Sequence, residues 1–467
     1  MPRITVYIAC HNYGAYVSEA IESVLCQTVN DWELLLIDDG STDDTYEVFE
    51  SYRSQPKIRI FRTEGISLPA VNNLALNEAK GKYIVRLDGD DIFDENILLV
   101  LGNYLDRDDE LALVFPDYYL VDETGEIFAH EWRSKLHTKD HVMDEPPNGA
   151  CTMVRTDVLK TVGGYREDLG AQDGLDLWLK IKDQYKSTNV NLPLFYYRRH
   201  GKNLTEQPLK ILNARREIKS DMAFNEIGNR RPIIAVIPCR KNHDFVDDLW
   251  AQKISGKSLL ERDILVCISS DMFDYIVVAC DNPDAEHIVN KYSHDERVKF
   301  FLRDEKSTLR STSIVETLNK LVEVYDSELN GIVLMRYIQT PFVTKGTIEE
   351  AVNSIVISDV DCAFAVEAIR HDVFQRKANG LVPLNPSAYG IVNTSSLYRD
   401  SSTCMAVKTK KIKGGSLRGS NSAGFKVSAA ESFFMSSEND IEVASNLEAV
   451  SKNGVSLVSK QDGISNS

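Results

Sequence analysis

The chain has 467 residues, too many for one compact core, and at ~150 residues per domain two or three domains are expected. Hydrophobic residues make up 43% and charged residues 26%, which excludes disorder across the whole chain. With 53 Lys+Arg against 70 Asp+Glu the net charge is -17, so phosphate backbones are repelled and nucleic acid is not expected as a partner.

No apolar run reaches the ~18 residues of a membrane span, which leaves peripheral membrane contact open. Met1-Pro2-Arg3 leads straight into Ile4–Ile8, without the pattern of a signal peptide. The eight cysteines are scattered, with no C-x-x-C pair. These features together predict a reduced, cytoplasmic setting.

In chain order, Ile4–Ala9 predicts a buried strand that stops at Cys10-His11-Asn12. Val17–Leu25 has apolar residues at helical spacing. Trp32–Ile37 predicts a second strand ending at Asp38-Asp39-Gly40-Ser41, followed by a helix over 43–53. Ile58–Phe61 is a third strand, 68–79 a helix, and Tyr83–Leu87 a fourth strand ending at Asp88-Gly89-Asp90-Asp91. Such βα alternation predicts a mainly parallel sheet covered on both faces.

In sheets of this kind the ligand lies beyond the carboxyl ends of the strands. His11, Asp38, Asp39, Asp88 and Asp90 all fall there. One Asp in such a place is explained by a turn or a helix cap, and Ser41-Thr42-Asp43 is read as a cap. Five polar residues at successive strand ends are not. Gly89 lets the backbone turn so that Asp88 and Asp90 face one side, where two carboxylates can bind a hard divalent cation, Mg²⁺ or Mn²⁺.

The helical segment 206–231 is read as closing a first domain, 1–228. A second domain, 229–450, repeats the α/β logic. Its expected strands are Ile233–Ile237, Tyr275–Ala279, Val298–Leu302, Gly331–Met335 and Cys362–Val366, with helices over 313–325 and 345–356 between them. Residues 451–467 are rich in Ser, Asn, Lys and Gly and are expected to be a flexible tail.

His11-Asn12-Tyr13, Ser23–Thr28, Asp38–Asp43, Asp88–Asp91, Gly163-Gly164-Tyr165 and Asp173–Trp178 occur in an order and spacing that resemble glycosyltransferase family 2. The resemblance covers residues 4–205. It implies a GT-A fold and transfer of a sugar from a nucleotide-sugar donor to an acceptor hydroxyl, usually with inversion. By the same resemblance, His11, Asn12, Asp38 and Asp39 would line the nucleotide pocket, Asn73 the donor site, and Asp88 and Asp90 the metal and diphosphate. Arg198 and His200, in Tyr196–His200, match the closing element that reaches the diphosphate. The catalytic base falls at Asp173 or Asp176, with Asp173 preferred because Asp176 also suits a helix N-terminus.

Ile237-Pro238-Cys239-Arg240 resembles the opening of sugar-acid cytidylyltransferases, which make CMP-activated sialic-type acids. The likeness implies roles for Arg240, Lys257, Asp440 and Glu442. The loop after Arg240 instead carries Asp244, Asp247 and Asp248, which repel a triphosphate. A domain with the fold and without the activity is therefore expected.

Both domains are thus expected to be mixed, mainly parallel-sheet nucleotide-binding folds, a GT-A domain followed by a nucleotidyltransferase-like α/β domain. The expected activity is metal-dependent glycosyl transfer in surface glycan synthesis, to a glycan, lipid-linked or protein acceptor. A bifunctional transferase and CMP-sugar synthetase is one alternative. An inactive scaffold in a glycan-assembly complex is the other.

Overall fold

The computed structural model describes residues 1–133, 149–181, 184–201, 208–309, 312–369, 373–378, 380–384, 392–393, 397–419 and 421–452. The expected tail at 451–467 thus lies almost wholly outside the described residues. The chain divides into two compact units, Met1–Arg215 with Arg370–Leu397, and Arg216–Ile369 with Tyr398–Ser467.

The first unit begins with β1 (Ile4–Cys10), α1 (Val17–Leu25), β2 (Trp32–Asp39), α2 (Thr45–Ser51), β3 (Ile58–Thr63), α3 (Leu68–Glu78) and β4 (Tyr83–Asp88). Next come β5 (Ile92–Phe93), α4 (Ile97–Arg107), β6 (Leu111–Val121), β7 (Ile127–Glu131), β8 (Met153–Arg155), α5 (Thr156–Thr161), α6 (Asp173–Ile181) and β9 (Lys186–Arg198). Helix α7 (Pro208–Phe224) carries the chain across the division at 215/216.

Strands β3, β2, β1 and β4 are adjacent and parallel, with Ile4 in register with both Trp32 and Tyr83. Every residue of β1 and β2 is buried, as both faces of a parallel sheet must be. Ile8, Leu36 and Leu87 on these strands pack with Val17, Ile21 and Val24 of α1 in one core. Beyond β4 the sheet turns antiparallel through β8 and β6, and β9 lies parallel to β6. The carboxyl ends of β1, β2 and β4 form one edge.

The second unit contains β10 (Ile233–Pro238), the hairpin β11 (Lys253–Ile254) and β12 (Lys257–Ser258), α8 (Leu259–Ile268), β13 (Tyr275–Cys280), α9 (Ala285–Asn290) and β14 (Val298–Leu302). It continues with α10 (Val315–Tyr325), β15 (Ile332–Arg336), α11 (Lys345–Ser358) and β16 (Cys362–Ile369). Between β16 and the next strand of this sheet, the hairpin β17 (Phe374–Lys377) and β18 (Gly380–Pro383), then β19 (Val392–Asn393), group with the first unit. There β19 pairs with β7. The chain then returns through β20 (Leu397–Lys408), α12 (Thr409–Lys413), β21 (Ser422–Lys426) and α13 (Asn439–Lys452).

Strands β14, β13, β10 and β15 are parallel neighbours, and β20 joins β15 antiparallel. Both units are therefore mixed, mainly parallel α/β sheets. In the second unit Lys219 Nζ lies 2.8 Å from Glu350 and Arg216 3.1 Å from Glu431, all buried or nearly so. Paired this way, the charges offset the cost of their own desolvation.

Candidate active site

The loop after β1 is built on Asn12, which adopts a left-handed backbone with φ 64°. Its N–H donates to Ser41 Oγ at 2.9 Å, and its Oδ1 accepts from the Thr42 N–H at 2.8 Å. Asn is among the few residue types that tolerate this conformation, because a short polar side chain can bond locally. His11 Nδ1 sits 2.8 Å from the Asp39 carbonyl. His11 and Asn12 are both exposed beside the end of β2.

Asp38 is fully buried, accepts from the Ser41 N–H at 3.0 Å and lies 3.2 Å from Arg62 Nε. Asp39 accepts from Thr63 Oγ1 at 2.6 Å and from the N–H groups of Ile66 and Ser67 at 2.7 and 3.1 Å. That carboxylate shapes the turn into α3 as well as facing the edge.

At the end of β4 the chain passes under Tyr13. A Cβ on Gly89 would stand 3.3 Å from Tyr13 Cβ and closer still to Cys10 Sγ, so glycine is required by close approach. Asp90 is 6% exposed and its Oδ2 lies 2.9 Å from His200 Nε2. The His200 ring stacks on Tyr16 with centroids 5.2 Å apart. Asp91 is buried, accepts from the Arg198 N–H, and leaves its Oδ2 without a hydrogen-bond partner.

Burial, opposed by Arg86 and reinforced by Asp90, pushes the Asp88 carboxyl up to about 6. Burial and the charges of Asp90 and Asp88 raise Asp91 well above the usual range. Desolvated like charges are what a bound cation relieves. Among the described residues no cluster of three His, Cys, Asp or Glu encloses a metal. A cation held there would have Asp88 and Asp90 as its carboxylate ligands and would take the rest from phosphate and water.

Asp173 opens α6, and Gln172 before it has φ 66°. Asp173 Oδ2 accepts from Arg86 Nη1 at 2.5 Å and from Asn72 Nδ2 at 3.3 Å. Arg86 Nε also lies 2.8 Å from Asp88 Oδ1. Burial works against the Arg86 charge, but Asp173 and Asp88 hold the guanidinium firmly charged. Asp173 is thus linked through one side chain to Asp88. Asp176 is elsewhere, buried and 2.7 Å from Lys180 Nζ one turn along the same helix.

Two other residues singled out in the sequence are used up by the fold. Asn73 donates to the Tyr165 carbonyl and Glu167 and accepts from the Tyr165 N–H, which ties α3 to the loop before α6. Arg198 is 2% exposed, donates to the carbonyls of Asp90 and Glu123, and pairs with Glu19 at 2.5 Å. It clamps the Asp90 backbone instead of opening toward a phosphate. The residues that sequence reasoning missed are Arg86, Asn72, Tyr7 and Asp91. A signal existed for Arg86, since a charge in the middle of an apolar parallel strand demands a partner.

At the matching edge of the second unit the charges are already matched. Arg240 pairs with Asp244 at 2.6 Å, and the Lys241 N–H donates to Asp281 at 2.6 Å. Asp248 accepts from Trp250 Nε1 and Asn282 Nδ2, both at 2.9 Å. Lys257 is exposed on β12, after the turn at Ser255 and Gly256. Asp440 accepts from the N–H groups of Ser436 and Ser437, and Glu442 is exposed in the first turn of α13. No hydrogen bond or ion pair among the described residues joins Arg240, Lys257, Asp440 and Glu442 to one another.

Residues 5–161 match the family model of glycosyl transferase family 2, and residues 250–397 match that of the cytidylyltransferases. A chondroitin synthase from Escherichia coli is 23% identical over 246 residues, covering 52% of this chain and 36% of its own length. A hyaluronan synthase from Pasteurella multocida is 26% identical over 230 residues, covering 49% and 24%. The chain thus spans about a third or less of these relatives. The structure of S. aureus TarS 1–349 in complex with UDP-GlcNAc aligns with a TM-score of 0.41 at 14% identity, over 86% of this chain and 99% of that one.

Proposed function

We propose that the family 2 glycosyltransferase domain matched over residues 5–161 makes this chain a nucleotide-sugar glycosyltransferase of surface-glycan synthesis, metal-dependent and inverting. The observation that carries this reading is the set of acids at one sheet edge. Asp38, Asp39, Asp88 and Asp90 end neighbouring parallel strands, and Asp173 reaches the same edge through Arg86. The chondroitin and hyaluronan synthases among the relatives support a polysaccharide product.

In this reading His11, Asn12, Asp38 and Asp39 hold the nucleoside, and Asp88 and Asp90 are the residues that would hold Mg²⁺ or Mn²⁺. When bound, the cation would supply charge neutralisation to the diphosphate leaving group. Asp173 takes the proton from the acceptor hydroxyl, whose oxygen bonds to the anomeric carbon while the bond to the diphosphate oxygen breaks. One displacement of this kind inverts the anomeric centre. His200 positions Asp90, and Arg198 holds the backbone that carries it.

The proposed division of labour is transfer in 1–228 and a nucleotide-binding shell in 229–450, in which phosphate contacts are replaced by internal salt bridges. No described helix is long and apolar enough to cross a membrane. We place the protein in the cytoplasm, with the donor drawn from the soluble nucleotide-sugar pool and the acceptor a glycan, lipid-linked or protein hydroxyl. The test is a panel of UDP-, GDP- and CMP-sugars with Mn²⁺, scored for released nucleotide. Turnover that is metal-dependent and lost in Asp90→Asn supports the reading. Turnover unchanged by chelator and by Asp90→Asn overturns its metal site.

A further inference from the structure

Strand β4 reads Tyr83-Ile84-Val85-Arg86-Leu87, and its one cation is 5% exposed. A guanidinium in that place is costly unless its donors are met by acceptors of fixed geometry. Arg86 is paired with two carboxylates: Nη1 donates to Asp173 Oδ2 at 2.5 Å, and Nε lies 2.8 Å from Asp88 Oδ1 as an ion pair without hydrogen-bond geometry.

Two further groups frame the Asp173 carboxylate, Asn72 and Gly149. Asn72 Nδ2 donates to the same Oδ2 at 3.3 Å, and Asn72 Oδ1 accepts from the Tyr7 hydroxyl at 3.1 Å. Tyr7 stands opposite Arg86 in the β1–β4 register, so both adjacent strands contribute to one polar support. Gly149 closes the other side. A Cβ there would come within 2.6 Å of Asp173 Oδ2 and 3.0 Å of Arg86 Nη2. Asp173 Oδ1, by contrast, has no hydrogen-bond partner among the described residues.

We infer that Arg86 is a positioning residue for the reaction. It fixes Asp173 through Oδ2 so that Oδ1 stays open to the acceptor hydroxyl, and it holds that base at a set distance from Asp88. This rests on the reading of Asp173 as the base. A guanidinium suits the task because its planar fork engages two carboxylates at once, which an ammonium on a shorter reach does not.

The experiment uses the full chain with UDP-GlcNAc, UDP-glucuronate, UDP-galactose, GDP-mannose and CMP-sialate, Mn²⁺ and no added acceptor, so that water takes the acceptor's place. The donor with the fastest nucleotide release is then used for kcat and KM. Arg86→Gln is expected to lower kcat by ~10², as is Asp173→Asn, while donor KM moves less than ~threefold. The double variant should be no slower than Asp173→Asn, because two residues acting as a unit are not additive. Arg86→Lys should recover part of the loss. Gly149→Ala, which removes no charge, should lower kcat by ~10-fold by displacing the pair.

Arg86→Gln turnover within ~threefold of wild type, or losses that multiply in the double variant, overturns the inference and leaves Asp173 as the base. Asp173→Asn turnover within ~threefold of wild type removes the base reading and the inference with it. So does the lack of turnover of every donor by the wild-type chain. Should Arg86→Gln lose its fold by circular dichroism, Arg86→Lys and Gly149→Ala decide the matter, and wild-type turnover in both overturns the inference.

Discussion

The two units end parallel strands in comparable places and differ in how closely the acids there are crowded. In the first, Asp88, Asp90 and Asp91 crowd together, and burial with mutual repulsion raises Asp88 to about 6 and Asp91 well above its usual range. In the second, Asp244, Asp281 and Asp248 each already have a partner, in Arg240, the Lys241 N–H, and Trp250 with Asn282. The first edge is therefore crowded with carboxyls held above their usual range although each has a partner, and the second carries carboxyls that are individually paired. Crowded like charges are what a cation would relieve.

The contrast breaks most visibly at Asp90. Asp90→Asn should abolish metal-dependent turnover, costing several kcal/mol of transition-state stabilisation, with the fold retained because the residue lies on a loop. Nucleotide release at saturating donor and Mn²⁺, with circular dichroism as the fold check, measures it. Retained metal-dependent activity would move the cation elsewhere.

At the second edge the expectation is no chemistry. The full chain with CTP, Mg²⁺ and a set of nonulosonic acids should release no pyrophosphate above the sugar-free background, since the Lys241 amide and Arg240 are already engaged. Release that depends on the sugar acid and vanishes in Asp440→Ala would make the two edges alike and the protein bifunctional.

Within the first unit, Asp173 and Asp176 divide in the same way. Asp173→Asn should lower kcat by ~10² with donor affinity nearly unchanged. Asp176→Asn should leave kcat within ~threefold and reduce stability, because the Asp176 carboxylate is buried and paired with the half-buried Lys180. Donor titration and urea unfolding of both variants separate the two. A large kcat effect at Asp176 and none at Asp173 would reverse the assignment.

The smallest effect is on stability against pH. A carboxyl whose folded value is raised contributes stability that is fully present below its unfolded value, ~4, and lost as pH rises through about 6. Metal-free Asp88→Asn should escape that loss and exceed wild type by about 1 kcal/mol near neutral pH, a figure discounted because the Asp88 side chain keeps 32% exposure. At pH 4 the difference should vanish. Urea midpoints at the two pH values measure it, and a more stable wild type at neutral pH would show that Arg86 outweighs burial.

Much of the first unit was legible from sequence because buried parallel strands are apolar runs and their ends are polar breaks. The strands at 4–10, 32–39, 58–63 and 83–88 follow that pattern closely, and so do the acids at their ends. Pattern also carried β10, β13, β14, β15 and β16 of the second unit. It did not carry 370–397, which leaves the second unit's sheet and groups with the first. Nothing local marks such a return, because the pairing of β19 with β7 joins residues more than 250 positions apart.

The site divides along the same line. Residue type and position at a strand end were enough to single out His11, Asp38, Asp39, Asp88 and Asp90, because periodicity and turn chemistry are local, whereas Asn12 and Asp173 came from the family resemblance. Whether a polar side chain is open or spent depends on what long-range packing brings to it. Only the tertiary structure turns Asn73 to Tyr165, buries Arg198 against Glu19, stacks His200 on Tyr16 beside Asp90, and sets Arg86 between Asp88 and Asp173. Each of those partners lies far along the chain, except Asp88, and hydrogen-bond geometry at that range is decided by the fold and not by the spacing of residues.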